Sequence, residues 1–276
     1  MKANDFIISP GSKSGAFYKS QLPIHPKYYL AYRGVVFSYW FTTYLLDMYS
    51  NMDSGWFFSY LSHWCEMSIL VYFFAAFCTA CLGFSEFNKR RRKNLEDLPH
   101  NLHLKKNSET VEFEMKEFDS PLRWNHYVTT IFFVSSFNLA VIVTSVFPVM
   151  GDPTYQNGSF LSVNIHVLNL VLMIIDLCIN SLSVHYMQSF ITVVTSACYA
   201  VMLISLHLTG ARSAVYPLVD YKNNPVATAL LTVGMILIAP FISHAVVYFL
   251  YRIKVFILHK IRRNECPSEP VVSMQI

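Results

Sequence analysis

Long apolar blocks alternate with short polar stretches along this chain of 276 residues. An α-helix rises about 1.5 Å per residue, so roughly 20 apolar residues cross a hydrocarbon core of about 30 Å. Six blocks approach or exceed this length, and we predict that each forms a membrane-spanning helix. They occupy residues 28–48, 57–84, 126–149, 160–180, 188–209 and 227–251. The pattern therefore predicts an all-α protein built as a bundle of six transmembrane helices.

The composition is typical of a membrane protein and excludes an ordinary water-soluble globule. Hydrophobic residues make up 54% of the chain and charged residues 14%, whereas soluble domains contain about 25% charged residues. The first and fourth blocks are the most polar, because Arg33 lies in the first and His166 and Asp176 lie in the fourth. By hydropathy alone these two blocks are marginal as membrane spans.

Basic residues are concentrated in alternate connecting segments. Residues 1–27 contain four, residues 85–123 contain nine and the tail from Arg252 contains five, whereas the opposite loops contain Arg212 and Lys222. Because cytoplasmic loops hold the excess of Lys and Arg, we predict an integral, multi-pass protein with both termini in the cytoplasm. This prediction is compatible with a location in the plasma membrane or in the endoplasmic reticulum. The net charge of +4 reflects this sorting and does not indicate a nucleic-acid partner.

The predicted organisation has three parts. They are a cytoplasmic N-terminal region (1–27), a six-span domain (28–252) with a cytoplasmic linker at 85–123, and a cytoplasmic tail (253–276). Asn157-Gly158-Ser159 is a glycosylation acceptor in the predicted outer loop. Cys266 is a candidate for palmitoylation, with an unmodified cysteine as the alternative. The tail is a candidate contact for protein partners, since an apolar end such as Ile276 suits a PDZ-type sheet edge.

Polar and ionisable residues inside the predicted spans gather at one depth. Such residues are costly to insert and mark functional sites by default when they face the bundle interior. The directions of spans two, four and five give one outer layer that contains Ser62, His63, Glu66, Asn164, His166, Asn169 and His207. Asp176 and His244 lie closer to the cytoplasmic ends of their spans and belong to a second layer.

Ser62 and His166 are the candidate catalytic pair. In a low-dielectric site an imidazole takes the hydroxyl proton while the hydroxyl attacks an ester carbonyl, which is nucleophilic acyl transfer. The competing interpretation is that these polar residues join helices by hydrogen bonds, and spacing alone favours it by about two to one. A metal site made from His63, His166 and His207 lacks recognisable ligand spacing. We therefore predict no metal and no other cofactor.

Four short motifs have a distinctive spacing. His166 is followed ten residues later by Asp176, and the other three are His207-Leu208-Thr209-Gly210, Val215-Tyr216-Pro217 and Tyr60-Leu61-Ser62-His63-Trp64. Over roughly residues 28–252, these motifs resemble the androgen-induced protein family of small polytopic membrane proteins. The last motif is most similar to the rolling stone branch of that family.

The resemblance implies an intramembrane hydrolase of fatty-acyl esters, in particular fatty acid esters of hydroxy fatty acids. Ser62 stands where the family has a threonine nucleophile, and His166 stands where it has the catalytic histidine. Hydrolase members have a second histidine three residues earlier, and here that position is Val163. Candidates for a supporting role are Glu66, His207 and Asn169.

The implied partner is a membrane lipid or another fatty-acyl ester. The rolling stone branch implies the alternative, a non-enzymatic membrane protein of cell adhesion or myoblast-type cell fusion. In that alternative the same polar residues hold the helices together.

Overall fold

The fold is all-helical, as the sequence predicts. A computed structural model describes residues 7–8, 14–22, 24–51, 57–96, 122–150, 163–211, 215–216 and 219–265. The α-helices in these ranges are α1 (Pro26–Asn51), α2 (Leu61–Glu96), α3 (Trp124–Met150), α4 (Asn169–Ile179), α5 (Ser189–Leu208), α6 (Pro225–Leu237) and α7 (Ala239–Glu265). Within the same ranges, extended pairing is limited to an isolated antiparallel bridge between Ser20 and Asn180.

Four helical stretches are long and apolar enough to cross a membrane. They are Leu61–Lys93, Trp124–Ser145, Tyr186–Leu208 and Pro225–Ile261, which correspond to the second, third, fifth and sixth predicted spans. The other two predicted spans are also helical. However, α1 is insufficiently apolar by this criterion, and the apolar helix over Asn164–Ile179 is too short. Four apolar helices of sufficient length are thus confirmed, and the six membrane crossings remain a prediction.

The helix boundaries follow local signals that hydropathy does not detect. Pro26 and Pro225 occupy first-turn positions of α1 and α6, where a missing N–H has no consequence. Gly210 has φ of 70° and ends α5 in the left-handed conformation that glycine adopts most easily. By contrast, α2 continues to Glu96, well past the predicted boundary at residue 84. The basic run 89–93 is therefore helical and exposed, because Lys and Arg are good helix formers.

The core lies around α3, and α6 and α7 lie at the periphery. Of the apolar window in α3, 72% is buried, against 17% for the window that spans α6 and α7. The buried cluster includes Trp40, Tyr72, Phe73, Phe133, Phe137, Met173, Leu177 and Val247. Leu230 on α6 and Phe249 on α7 remain mostly exposed. Such extended apolar surface marks a face that meets lipid or another protein.

Residues 14–22, which we call the N-terminal segment, pack against one end of the bundle. The Ser20 hydroxyl donates to the carbonyl of Ile179 over 2.7 Å, and the Ser181 hydroxyl donates to the carbonyl of Lys19 over 3.0 Å. Tyr18 lies directly on Gly83 of α2. We call this end of the bundle the Asn180 end and the opposite end, where α2 begins, the Ser62 end.

Candidate functional site

Helices α2 and α4 run in the same direction and keep a constant register. Asn169 Nδ2 lies 3.7 Å from Cys65 Sγ, and the Tyr72 hydroxyl donates to the carboxylate of Asp176. Both contacts join residues that are 104 positions apart in the sequence. Ser62 and His166 are separated by the same 104 positions, about one helical turn before Cys65 and Asn169. Extending this register by three residues predicts that Ser62 and His166 lie at a similar level of this interface.

Ser62 lies in the first turn of α2 and lines an apolar cavity. The cavity has a volume of ≈ 70 Å³ and lies between α2, α3, α5 and α6. Most of its wall is aliphatic, and its polar members are Ser62, Ser196, Tyr199, Tyr216 and Thr232.

Two tyrosines of the cavity wall hold the beginning of α2. The Tyr216 hydroxyl accepts a hydrogen bond of 3.0 Å from the backbone N–H of Leu61. The Tyr199 hydroxyl donates over 2.9 Å to the carbonyl of Ser59. The first N–H groups of a helix have no partner within the helix, so Tyr216 supplies one from outside. The backbone on either side of Ser62 is therefore tied to α5 and to the loop that follows it.

His166 lies in a wide π-helical turn, Asn164–Leu168, that leads into α4. The Asn169 N–H bonds to the carbonyl of Asn164, which leaves the carbonyl of Ile165 without its usual donor. The Asn169 side chain supplies the replacement through Nδ2 at 2.5 Å. Single π-helical turns are rare and often occur at functional sites. The side chain of His166 is 3% exposed, so it points into the bundle and is shielded from solvent.

Thr144 of α3 holds the same turn from the other side. Its hydroxyl donates over 2.6 Å to the carbonyl of His166 and lies 3.4 Å from Asn169 Oδ1. Two helices therefore fix the backbone at His166. In the described part of the chain, no hydrogen bond joins the side chains of Ser62 and His166. Catalytic hydrogen bonds often tighten only when substrate binds.

A second group of ionisable side chains occupies the Ser62 end between α1 and α2. His63 Nε2 lies 3.0 Å from Asp47 Oδ2, and His63 Nδ1 lies 2.5 Å from the carbonyl of Phe57, whose ring stacks on the imidazole. The Glu66 carboxyl group is within hydrogen-bonding reach of Asp47. Asp47, His63 and Glu66 are all buried. Asp47 was not predicted as a site residue from the sequence. The sequence feature that could have indicated it is an aspartate in an otherwise apolar block.

Asp176 belongs to a separate cluster nearer the Asn180 end. Its carboxylate pairs with Arg33 at 2.5 Å and accepts hydrogen bonds from Tyr32, at 3.0 Å, and from Tyr72. Tyr29 accepts two further hydrogen bonds from the guanidinium, at 2.6 and 3.1 Å. The tyrosines around Arg33 were not identified from sequence. This cluster joins α1, α2 and α4. The ion pair explains how Arg33 and Asp176 are both buried inside the bundle.

His244 also joins helices rather than facing a cavity. Asn138 of α3 contacts Thr192 at 2.6 Å and His244 Nδ1 at 3.1 Å, and His244 Nε2 lies 2.7 Å from the carbonyl of His185. Burial lowers the pKa of His185. The side chain of His185 accepts a hydrogen bond from the N–H of Gln188, which an imidazolium is unable to do.

The remaining sequence candidates have partners other than Ser62. The ring of His207 is 5.5 Å from that of Tyr221, beside the loop after α5. In that loop hydrogen bonds from Asn223 lower the pKa of Asp220. Asn164 accepts a hydrogen bond of 2.7 Å from Tyr39. Asn157 and Cys266 lie outside the described residues, so their predicted modifications have no structural description.

In the described ranges, no group of three or more His, Cys, Asp and Glu side chains has the arrangement of a metal site. Comparisons of the chain with protein-family models, with curated proteins and with solved structures gave no match. The functional interpretation therefore depends on the residues themselves.

Proposed function

We propose that the chain is an integral membrane protein that crosses the bilayer six times, with both termini in the cytoplasm. The four long apolar helices support this, and so does the way α1 arranges its polar residues. Arg33 and Asp47 are buried inside the bundle, whereas Val35 and Leu46 are exposed on the outer surface of α1. Hydropathy averages the two faces of α1 and therefore underestimates how well its outer face suits lipid.

The proposed activity is hydrolysis of an ester bond in a fatty-acyl lipid, such as a fatty acid ester of a hydroxy fatty acid. The observation that supports it is the 104-residue register of the contacts between α2 and α4, which predicts a similar level for Ser62 and His166. In addition, Ser62 borders the apolar cavity. An acyl chain that enters sideways from the bilayer would occupy this cavity and present its ester to the serine hydroxyl.

The reaction proceeds in two steps. His166 accepts the proton of the Ser62 hydroxyl while its oxygen attacks the ester carbonyl carbon, and the resulting imidazolium gives that proton to the departing alkoxide. This leaves an acyl ester on Ser62 and a free alcohol. In the second step water replaces Ser62 at the acyl carbon, with His166 again accepting a proton and then returning it to the serine oxygen.

The test is covalent labelling of the purified, detergent-solubilised protein with a fluorophosphonate probe. We expect the wild type to be labelled and Ser62→Ala and His166→Ala to lose labelling at unchanged protein level. Ser196→Ala is the matched control, because Ser196 lines the same cavity but has no histidine partner in the proposal. Absence of labelling in a well-folded wild type, or equal labelling of Ser62→Ala, would overturn the proposal.

A second candidate function is a non-enzymatic component of cell adhesion or fusion. It is favoured by the number of buried polar residues that join helices, such as the pairs Arg33–Asp176 and Asn138–His244. Interhelical hydrogen bonds of this kind contribute roughly 0.6 kcal/mol each in membranes. Under this function, the probe would label neither the wild type nor any variant. Replacing Ser62 with alanine would change only the abundance or thermal stability of the protein.

A further inference from the structure

The group of ionisable side chains at the Ser62 end contains more acidic residues than basic ones. Asp47 and Glu66 supply two adjacent carboxyl groups, and in the part of the chain that the structure describes His63 is the basic side chain that contacts Asp47. Asp47 and Glu66 are each 1% exposed. Two carboxylates in contact in a buried, low-dielectric site repel each other strongly, so one of them retains a proton.

His63 is the basic side chain in this group. Its Nδ1 lies 2.5 Å from the carbonyl of Phe57, its Nε2 lies 3.0 Å from Asp47 Oδ2, and its ring stacks on that of Phe57 at 3.8 Å. A protonated imidazole here compensates one carboxylate, that of Asp47, and leaves the second carboxyl group without a countercharge.

Glu66 is the carboxyl group without another partner. Neither of its oxygens has a hydrogen-bond donor among the described residues, and both oxygens are fully buried. Asp47, by contrast, has His63 and also accepts a bond of 2.8 Å from Asn51 Nδ2. The proton that the pair retains is therefore better placed on Glu66, from which it is donated to the Asp47 carboxylate.

We propose that Asp47, His63 and Glu66 form a buried proton-binding site in which Glu66 holds the proton and Asp47 holds the charge that pairs with His63. The site is then neutral overall, which suits its burial between α1 and α2. Among the described residues, the other titratable side chains beside the two carboxyl groups are Tyr44 of α1 and Cys65 of α2. The neighbouring π turn, which contains His166, also packs on α2. The proposal is independent of hydrolysis at Ser62.

Infrared spectroscopy of the purified protein in lipid nanodiscs tests the protonation state directly. At neutral pH we expect a carboxylic-acid C=O stretching band that Glu66→Gln removes. Glu86→Gln is the matched control on the same helix, because Glu86 pairs with Arg123 at 2.7 Å and is therefore a carboxylate. A wild type without the band, or a band that survives in Glu66→Gln, would overturn the proposal.

Thermal unfolding as a function of pH tests the assignment of the proton. The folded state binds a proton that an exposed glutamate has already released, so stability falls as pH rises through the range where Glu66 loses it. Glutamine donates a similar hydrogen bond and does not titrate. We therefore expect Glu66→Gln to have a higher Tm than the wild type at neutral pH, because only the unfolded wild type gains stability by releasing this proton, and to lose the decrease of Tm with rising pH.

Asp47→Asn is the comparison that separates the two carboxyl groups. It removes the partner of His63 and is expected to lower the Tm at neutral pH, which Glu66→Gln does not. The reverse order, or the same Tm for both variants, would refute the assignment of the proton to Glu66.

Discussion

The guanidinium of Arg33 and the carboxylate of Asp176 form a buried ion pair with Nη1 and Oδ1 2.5 Å apart. The two residues belong to α1 and α4, and their exposed side-chain fractions are 1% and 0%. Tyr29, Tyr32 and Tyr72 supply the additional hydrogen bonds that such a pair needs in a dry environment. A buried charge without a partner is far more costly than the intact pair.

Removing one member of this pair should therefore destabilise the protein more than removing both. We expect Arg33→Leu and Asp176→Leu each to cost about 3–5 kcal/mol, the range found for breaking buried pairs. The double variant should lose less than the sum of the two. Thermal or denaturant unfolding of the detergent-solubilised variants measures this difference, and strictly additive losses would argue against mutual pairing.

The register of α2 and α4 predicts a specific cross-link. With the native cysteines replaced, Ser62→Cys combined with His166→Cys should form a disulfide under mild oxidation, because a disulfide needs Cα atoms within about 7 Å. Ser62→Cys combined with Val167→Cys is the control, since Val167 is 44% exposed on the outer surface. A gel shift after oxidation detects the product in whole membranes. Equal cross-linking of both pairs would contradict the register.

Thr144 should position His166 without taking part in the chemistry. Thr144→Val removes the hydrogen bond to the carbonyl of His166, which is worth about 1 kcal/mol, and should slow fluorophosphonate labelling of Ser62 severalfold. Thr144→Ser keeps the hydroxyl and should restore the wild-type rate. If both variants slow labelling equally, the loss would come from packing of the threonine methyl group and the hydrogen bond would have no positioning role.

The N-terminal segment should detach when a side chain is added at Gly83. A Cβ atom at this position would lie 2.4 Å from Cγ of Tyr18, a separation that atoms do not tolerate. Gly83→Ala should therefore expose the peptide bond after Lys19 to trypsin. Gly234→Ala is the matched control on another helix, because no atom lies within 4 Å of the added Cβ. Unchanged cleavage in Gly83→Ala would show that α2 and Tyr18 move apart easily.

Acid should destabilise the protein partly through His185. Burial lowers the pKa of this imidazole, so the unfolded chain binds its proton at a higher pH than the folded chain does. Stability is then fully present above the ordinary pKa of histidine and decreases as the pH falls below it. His185→Asn keeps a side chain suited to capping and should reduce the loss of Tm between about pH 7 and pH 5. An unchanged acid profile would assign that loss to other groups.

Much of the fold follows from the sequence because it depends on the lengths and directions of apolar blocks. The prediction that Ser62 and His166 share a level uses span direction alone. The Asp47–His63 pair cannot be predicted in this way, because it requires the rotation of α1 about its axis. Packing sets that rotation, for example the bond of 3.0 Å from the Trp40 indole to the carbonyl of Glu66.

The π turn at His166 illustrates a second limit of sequence reasoning. The turn deprives the carbonyl of Ile165 of its backbone donor, and the side chain of Asn169 supplies the replacement. Thr144 on another helix donates to the next carbonyl, that of His166. A contact between residues 22 positions apart has no local pattern that would reveal it. Hydropathy likewise missed the end of α2, because the helix continues through charged residues that favour helix formation.

The N-terminal segment has a consequence for how the protein is made. Ser20 bonds to Ile179, which is 159 residues later in the chain. At about 5–20 residues per second, a ribosome needs roughly 8–30 seconds to synthesise the residues between them. During that interval Tyr18 and its neighbours have already emerged while half of their binding surface does not yet exist. Closure of the Asn180 end is therefore a late step of assembly, and a large fusion at the amino terminus should delay this step more than it delays insertion of the first helices.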